Sequence, residues 1–569
     1  MNFDYYFHVN LEDAQRLFTR LIPGFLFLIT LAISPGLSID PINAPKFLIL
    51  TVLGVISIGL VFPNLKLSTK MVRDRFVLIL MVGLFISGLL VAFLTGETSW
   101  KEQFFGVYGR NTGFVTYISL AFIFLALVMF FSTELLSKSI MTLVVCGSLS
   151  SLYGLLQFLD LDPVGWSNPY SPIIGFLGNS NFQSSFIGMA SVALFDRLFR
   201  YKASKFQKAI VIAGLLLNLF IVVKSDSQQG LLVFVLGTSI VFLGHLSRLA
   251  NKIYCRSLTL VVVVLGILSS MGLLQKGPFA AVLYQPSVTF RGDYWRAGMR
   301  MFRENLLNGL GLDSYGSFYR QYRDSAATLR RGPEITTNAA HNVVIDLAAN
   351  GGLFLVVPYI LLMFFTIWLF IRALKVDSEN KSALILVFSL WLCYQAQSLI
   401  SINLVSLATW GWVFMGLSVG LSLYILREKV AAPEKMAKVK ANSSTKEVSA
   451  GAIVFSFMCA ILGTVVGILP LVGSATERSA IQSGSVEKVI EAAFKEPRDP
   501  DRMNNLAAIL GNGGYPEEAL KIAKATVQEF PTSFVAWRYI TQINNAPPLD
   551  KEQALKKMRE LDPLNQNLR

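Results

Sequence analysis

The chain has 569 residues, of which 53% are hydrophobic and only 15% charged, with a formal net charge of +14. A soluble chain carries roughly 25% charged residues, so an ordinary cytosolic enzyme and a disordered scaffold are both excluded. The apolar content suffices instead for about a dozen membrane spans of about 20 residues each, and the fold class expected is an all-α polytopic membrane protein.

Apolar runs fall at about 21–38, 47–62, 76–94, 113–131, 139–159, 182–196, 207–223, 230–246, 258–275, 352–371, 383–401, 404–426 and 451–473, which gives thirteen expected spans. The first is read as a retained span, because Asp4, Glu12 and Asp13 are foreign to a basic leader. With the N-terminus placed inside, the predicted inside loops hold 24 Lys and Arg. The short outside loops hold four: Lys46, Lys101, Arg110 and Lys224. That asymmetry is the positive-inside bias, so the positive charge needs no nucleic-acid partner. No span carries a row of acidic residues, which argues against a proton- or sodium-coupled transporter. The chain therefore divides into a membrane domain at 1–426 with a long outer loop at 276–340, a basic cytoplasmic linker at 427–450, a last span at 451–473 and an external tail at 474–569. The tail holds 13 basic and 13 acidic residues. Within it Pro497, Pro531 and Pro563 lie 34 and 32 residues apart, and "PEEALKIAKATVQEFP" is echoed by "DKEQALKKMRELDP". That spacing predicts tetratricopeptide-like helical hairpins, a surface for a glycan acceptor or a protein partner.

Chemistry concentrates in the long loop. Between Lys276 and Arg331 it holds eight arginines and one lysine. Guanidinium forks bind phosphate oxygens bidentately, whereas ammonium is a point charge. A helix over "DYWRAGMRMFREN" sets Arg296, Arg300 and Arg303 on one face and Trp295, Met299, Phe302 and Leu306 on an adjoining apolar one. Arg291, Arg320 and Arg323 complete the candidate phosphate-binding set. An interfacial helix whose arginines only neutralise lipid phosphates is the plainer alternative. His341, followed by Asn342, is expected in the first turn of the span that ends near Arg372. A neutral imidazole beside an arginine field keeps a low pKa and accepts a proton from a hydroxyl, although a lone histidine is as readily a structural donor. His8 and His245 lie on the cytoplasmic side. The other outer loops add Arg110 in "GRNTGF", Asn179 and Asn181 in "GNSNF" (helix capping or sugar binding), and Lys224 in "KSDSQQG". No Walker loop, DxD pair, His cluster or CxxC occurs, and Cys146, Cys255, Cys393 and Cys459 are far apart. Neither a nucleotide-sugar donor nor an essential metal or cofactor is expected.

These pieces, in this order, resemble the O-antigen ligase and O-antigen polymerase family of bacterial membrane glycosyltransferases. The matching segments are "GRNTGF", "GNSNF", "RGDYWRAGMRMFRENLLNGLGLDSYGSF" and "AHNVVIDLAANGGLF", spanning about 100–370. The resemblance implies a C-type glycosyltransferase fold, a lipid-linked donor such as an undecaprenyl-diphosphate glycan, and metal-free transfer at the outer face of the bacterial cytoplasmic membrane. Arg291 is then implied to hold the diphosphate and His341 to activate the acceptor hydroxyl on a glycan, lipid or protein. Many relatives have Ser-Arg-Gly where this chain has Ser227, Gln228 and Gln229 before Gly230, so one phosphate contact is missing unless Lys224 supplies it. Two other classes compete. A glycolipid transporter would line its spans with charge, and a non-catalytic assembly scaffold leaves Arg291, Trp295 and His341 without a purpose.

Overall fold

The computed structural model describes residues 9–65, 73–166, 171, 173–199, 204–249, 276–283, 286–428 and 448–568, with isolated positions between 253 and 272. Among the described residues every regular element is a helix and none is a strand. The first half holds α1 (Leu11–Leu31), α2 (Asn43–Val61), α3 (Arg73–Thr95), α4 (Trp100–Phe105), α5 (Phe114–Met129), α6 (Thr133–Phe158), α7 (Ser180–Leu198), α8 (Lys205–Lys224) and α9 (Gln228–Leu249). The long loop folds into α10 (Pro286–Glu304), α11 (Tyr315–Tyr322) and α12 (Ser325–Arg331). The bundle is completed by α13 (Val343–Leu374), α14 (Lys381–Ser398), α15 (Val405–Glu428) and α16 (Ala450–Ser483). The tail follows as α17 (Val486–Ala493), α18 (Pro500–Asn512), α19 (Pro516–Glu529), α20 (Phe534–Gln542) and α21 (Pro548–Leu561).

Short polar side chains ahead of the apolar runs set where helices begin, because they satisfy amides that have no partner in the first turn. Asn10 accepts from the Asp13 amide at 2.8 Å, Ser132 from Leu135 at 3.0 Å and Asn179 from Asn181 at 2.9 Å. Asp40 takes the first three amides at the start of α2, those of Ile42, Asn43 and Ala44.

The run at 258–275 lies largely outside the described residues, as do His8 and most of the 427–450 linker. The other twelve runs are all helices, and among the described residues nine helices are long and apolar enough to cross a membrane. The remaining three are α5, α7 and α14. α5 is short at 16 residues, and the other two carry Ser and Gln. All three are enclosed by neighbours along most of their length, so lipid does not set their composition. Two boundaries differ from expectation. The first helix begins at Leu11 rather than 21 and stops at Leu31, because Pro35 and the left-handed Gly36 (φ 80°) force a turn. α13 begins at Val343, well ahead of its apolar run.

The centre of the bundle is α15, whose Trp410 and Trp412 are fully buried. Trp410 meets its polar obligation by donating to Thr30 Oγ1 at 2.9 Å. Helices approach closely where glycine removes the Cβ. A Cβ at Gly463 or Gly467 of α16 would lie 2.7 or 3.0 Å from backbone of α2, and one at Gly88 of α3 would lie 2.1 Å from Phe354 O of α13.

One end of the bundle gathers the loops that matter. Thr98 bonds Ser314 (2.6 Å), the Val107 amide bonds Asp313 (2.8 Å) and Asn43 bonds Gly109 O (2.6 Å). Tyr108 reaches Ser474 and Glu477 at the far end of α16. The long loop and the tail therefore share one side.

α13 is interrupted at Gly352 (φ 58°, ψ −159°), a conformation restricted to glycine. Backbone freed there is stitched to the "LLNGLG" turn after α10. Leu310 and Gly311 donate to Ala349 O and Asn350 O, while Leu353 and Phe354 donate to Leu306 O and Leu307 O, at 2.8–3.2 Å. A Cβ on Gly352 would lie 2.3 Å from the Leu307 carbonyl. This seam fixes α10 against the start of α13.

In the tail, Pro497, Pro531 and Pro563 follow α17, α19 and α21, and the helices bury two small apolar clusters centred on Leu506 and Trp537.

Candidate active site

The helix expected within the long loop is α10. Its Tyr294, Ala297 and Met301 are buried in a cluster with Ala340 and Ala349, and Gly298 lets the helix press onto Ile345. Arg296, Arg300 and Arg303 occupy the exposed face. Asp293, itself buried, pins this helix to α12: it accepts from Arg296 and, at 2.9 Å, from Arg330.

His341 is not in the first turn of α13, as expected, but just outside it, with a left-handed φ of 53°. Asn342 is the cap instead. Its Oδ1 accepts from the Val344 and Ile345 amides at 3.0 and 3.1 Å, and its Nδ2 donates to Leu399 O at 3.0 Å. His341 is thereby free of a capping duty. Its Nδ1 lies 3.2 Å from Ala339 O. A carbonyl only accepts, so Nδ1 carries the proton and Nε2 keeps its lone pair. Among the described residues Nε2 has no hydrogen-bond partner. Burial pushes the imidazole down to about 4, helped by the positive charges of Arg291, Arg110 and Arg331 and opposed by the Ala339 carbonyl. The ring lies 5.1 Å from that of Tyr294, whose hydroxyl accepts from Arg331. The guanidinium of Arg331 also sits 4.3 Å over Phe290.

Six of the eight loop arginines are engaged with protein groups. Arg296 and Arg330 hold acids, Arg300 reaches Tyr322 O, Arg331 holds Tyr294, and Arg320 and Arg323 both bind Asp562 of the tail. Arg303 is exposed. Arg291 alone is half-buried, without hydrogen bond or ion pair among the described residues, and close enough to act on His341. Burial lowers its pKa, and Tyr294 opposes the shift. An uncompensated, partly desolvated guanidinium is costly in a folded protein, and such groups concentrate where an anion is to be bound.

Arg110 is placed beside this pair but is turned inward. It is 4% exposed, donates to Asn338 O, and pairs with Asp313 (3.1 Å) and Asp346 (3.4 Å). Asp346 in turn accepts the Ala340 amide at 2.9 Å. Arg110 and Asp346 thus clamp Asn338 and Ala340, just ahead of the His341 turn. Neither Asp313 nor Asp346 stands out in the sequence. Their signal is an intrahelical acid and a loop acid that require a buried cation, which becomes visible only once the partners meet.

The other expected contacts are scattered. Asn181 Oδ1 accepts from Ser227 at 2.8 Å, tying the start of α7 to the turn before α9. Lys224 is exposed and rests over Phe158 and Phe220 at 5.3 and 5.9 Å. His245 bonds Asp196 at 3.0 Å and stacks on Phe199, a structural setting remote from the loop. No three His, Cys, Asp or Glu side chains converge as a metal site among the described residues.

Comparison with known families places the pair in context. A family model described as O-antigen ligase matches residues 213–360, about a quarter of the chain. This stretch is similar to the O-antigen ligase family. Comparison with proteins of curated function finds no match. The matched stretch runs from α8 into α13 and contains both Arg291 and His341, whereas Arg110, Asn181 and Asp562 lie outside it. The family points to glycan ligation or polymerisation by a membrane glycosyltransferase-like enzyme.

Proposed function

We propose that this protein transfers or polymerises glycan from an undecaprenyl-diphosphate donor onto a hydroxyl acceptor at the outer face of the bacterial cytoplasmic membrane, without a metal. The observation that carries the reading is that Arg291, a guanidinium unpaired among the described residues, acts electrostatically on His341, whose Nε2 has no partner among them. The acceptor oxygen attacks the anomeric carbon while the bond from that carbon to the phosphate oxygen breaks. The electron pair leaves on the diphosphate, and the hydroxyl proton moves to Nε2. Arg291 stabilises the charge that develops on the leaving group, as a fixed donor aimed at the transition state does. Arg296 and Arg300, exposed on α10, and Lys224 and Asn181 are available for the outer reaches of the donor. Arg110, Arg320, Arg323 and Asn342 act by shaping the site.

A base held near 4 is weak on its own. The donor offsets part of this. Burial is the larger cause, but a diphosphate seated on Arg291 cancels the share that comes from that positive charge, so the imidazole is a better base when a donor is bound. The test is transfer by purified protein from a lipid-linked glycan. Arg291→Lys, which keeps charge but loses the fork, and His341→Gln should each lower transfer strongly while expression and insertion persist. Full activity of both variants excludes this assignment. In cells lacking the protein, accumulated full-length carrier-linked chains identify ligation, and accumulated single units identify polymerisation.

A further inference from the structure

We propose that Asp562, at the end of the tail, is a positioning residue for the transfer reaction: it holds Arg320 and Arg323, and through them the segment that leads into His341. The proposal rests on the reading of His341 as the proton acceptor, and it gives the tail a part in the site itself.

Asp562 follows α21 and is 1% exposed. Arg323 Nη2 donates to both of its oxygens, at 2.7 and 2.8 Å, and Arg320 Nη1 donates to Oδ2 at 2.9 Å. Asn565 adds a bond at 3.2 Å, so the carboxylate is saturated. The same two guanidinium groups face the other way onto the long loop. Arg320 and Arg323 each donate to Pro333 O at 2.8 Å, and Arg323 also reaches Ile335 O at 3.3 Å. Beneath Arg320 lies the Phe534 ring, 4.1 Å from the guanidinium, and Arg538 bonds Glu334 at 2.7 Å. Three side chains of the tail thus converge on residues 320–335.

The stretch from Gly332 to Asn342 has neither helix nor strand to hold it. It hangs between two clamps. Arg320 and Arg323 grip its beginning at Pro333 and Ile335, and Arg110 with Asp346 grips its end at Asn338 and Ala340. His341 comes next, in a left-handed turn that an unsupported histidine seldom adopts. Without Asp562 the first clamp would consist of two adjacent, desolvated guanidinium groups with no shared counter-ion. They would repel and turn towards water, releasing the carbonyls. A buried acid supplied by the tail prevents this, across 239 residues of chain; Glu334 approaches Arg320 alone, at 3.9 Å, and is itself exposed.

The experiment uses the full-length protein in lipid nanodiscs with Asp562→Asn and Asp562→Glu. Asparagine keeps the shape and removes the charge, and glutamate keeps the charge. Asp562→Asn should lower kcat on the order of 100-fold, the effect of displacing a reacting group by about 1 Å. It should also raise hydrogen–deuterium exchange at 333–345 and move the acid limb of the rate profile towards that of an ordinary histidine. That limb is set first by burial and then by the charges of Arg291 on α10, Arg110 in the loop before α5 and Arg331 on α12, while the Tyr294 ring faces the imidazole. Asp562→Glu should recover a substantial part of kcat. A tail that merely docks would lower thermal stability alone. Unchanged kcat, acid limb and exchange in Asp562→Asn would therefore overturn the proposal. Should wild-type protein transfer no lipid-linked glycan, the functional reading fails separately. The exchange measurement still decides the proposal, and unchanged protection at 333–345 defeats it.

Discussion

Replacing Gly352 with alanine tests how the two halves of the site are held together. Gly352 interrupts α13 at φ 58° and ψ −159°, and its missing Cβ leaves room for the Leu307 carbonyl 2.3 Å away. An alanine there meets a conformational cost of about 1–3 kcal/mol. The clash is with backbone, which cannot rotate aside, so the seam must open. Two bonds across it, Leu353 to Leu306 O and Phe354 to Leu307 O, are then lost at about 0.5–1.5 kcal/mol each. The sum is about 2–6 kcal/mol, concentrated where α10 carries Arg291 towards His341. Gly83→Ala is the control, because a Cβ there meets nothing within 4 Å. Both variants would be reconstituted and compared by thermal melting and by transfer from a lipid-linked glycan. Gly352→Ala should melt earlier and lose transfer, and Gly83→Ala should match wild type. If Gly352→Ala retains wild-type melting and transfer, the seam does not hold the site and this reasoning fails.

Four further outcomes are expected. His341→Gln should lose most transfer, whereas His245→Gln, remote from the loop beside Asp196, should keep it; full transfer by a stable His341→Gln protein removes the proton-acceptor role. The neutral imidazole is the active form, so rate falls as pH falls through its pKa. The acid limb of kcat/KM, which reports the free enzyme, should lie near 4, and that of kcat should lie higher because donor charge offsets Arg291. Coincident limbs would refute that coupling. Transfer should survive EDTA, and loss that magnesium or manganese restores would bring a metal into the mechanism. A reporter fused after residue 569 should be active only if exported, and a cytoplasmic result would reverse the orientation of the tail and the long loop.

What the sequence reveals depends on how local the determining physics is. Spans are legible because hydropathy is a property of consecutive residues, and the runs fall short only where a turn such as Pro35–Gly36 cuts one or where α13 extends beyond its apolar stretch. Arg291 and His341 are legible as residue types in an unusual loop. The division of labour among the arginines is not. Arg320 and Arg323 look like phosphate ligands until Asp562 arrives from the far end of the chain, and Arg110 looks solvent-facing until Asp313 and Asp346 enclose it. Each buried ion pair joins residues whose sequence separation exceeds any motif. Asn342 is intermediate: an asparagine before an apolar run announces a cap, and only the structure frees His341 from sharing that duty.

The helix that joins the membrane to the tail has a mechanical meaning. α16 runs 34 residues without a break, about 51 Å at 1.5 Å per residue. A hydrocarbon core of about 30 Å accounts for about 20 of those residues. The remainder rises as a mast, rooted below by glycine contact with α2 and stayed above by Tyr108 against Ser474 and Glu477. Pro470 lies inside the helix about where the mast begins and leaves one backbone hydrogen bond unmade there. The stay at Tyr108, just beyond that weak point, therefore sets the heading of the tail over the long loop, rather than the stiffness of the helix alone.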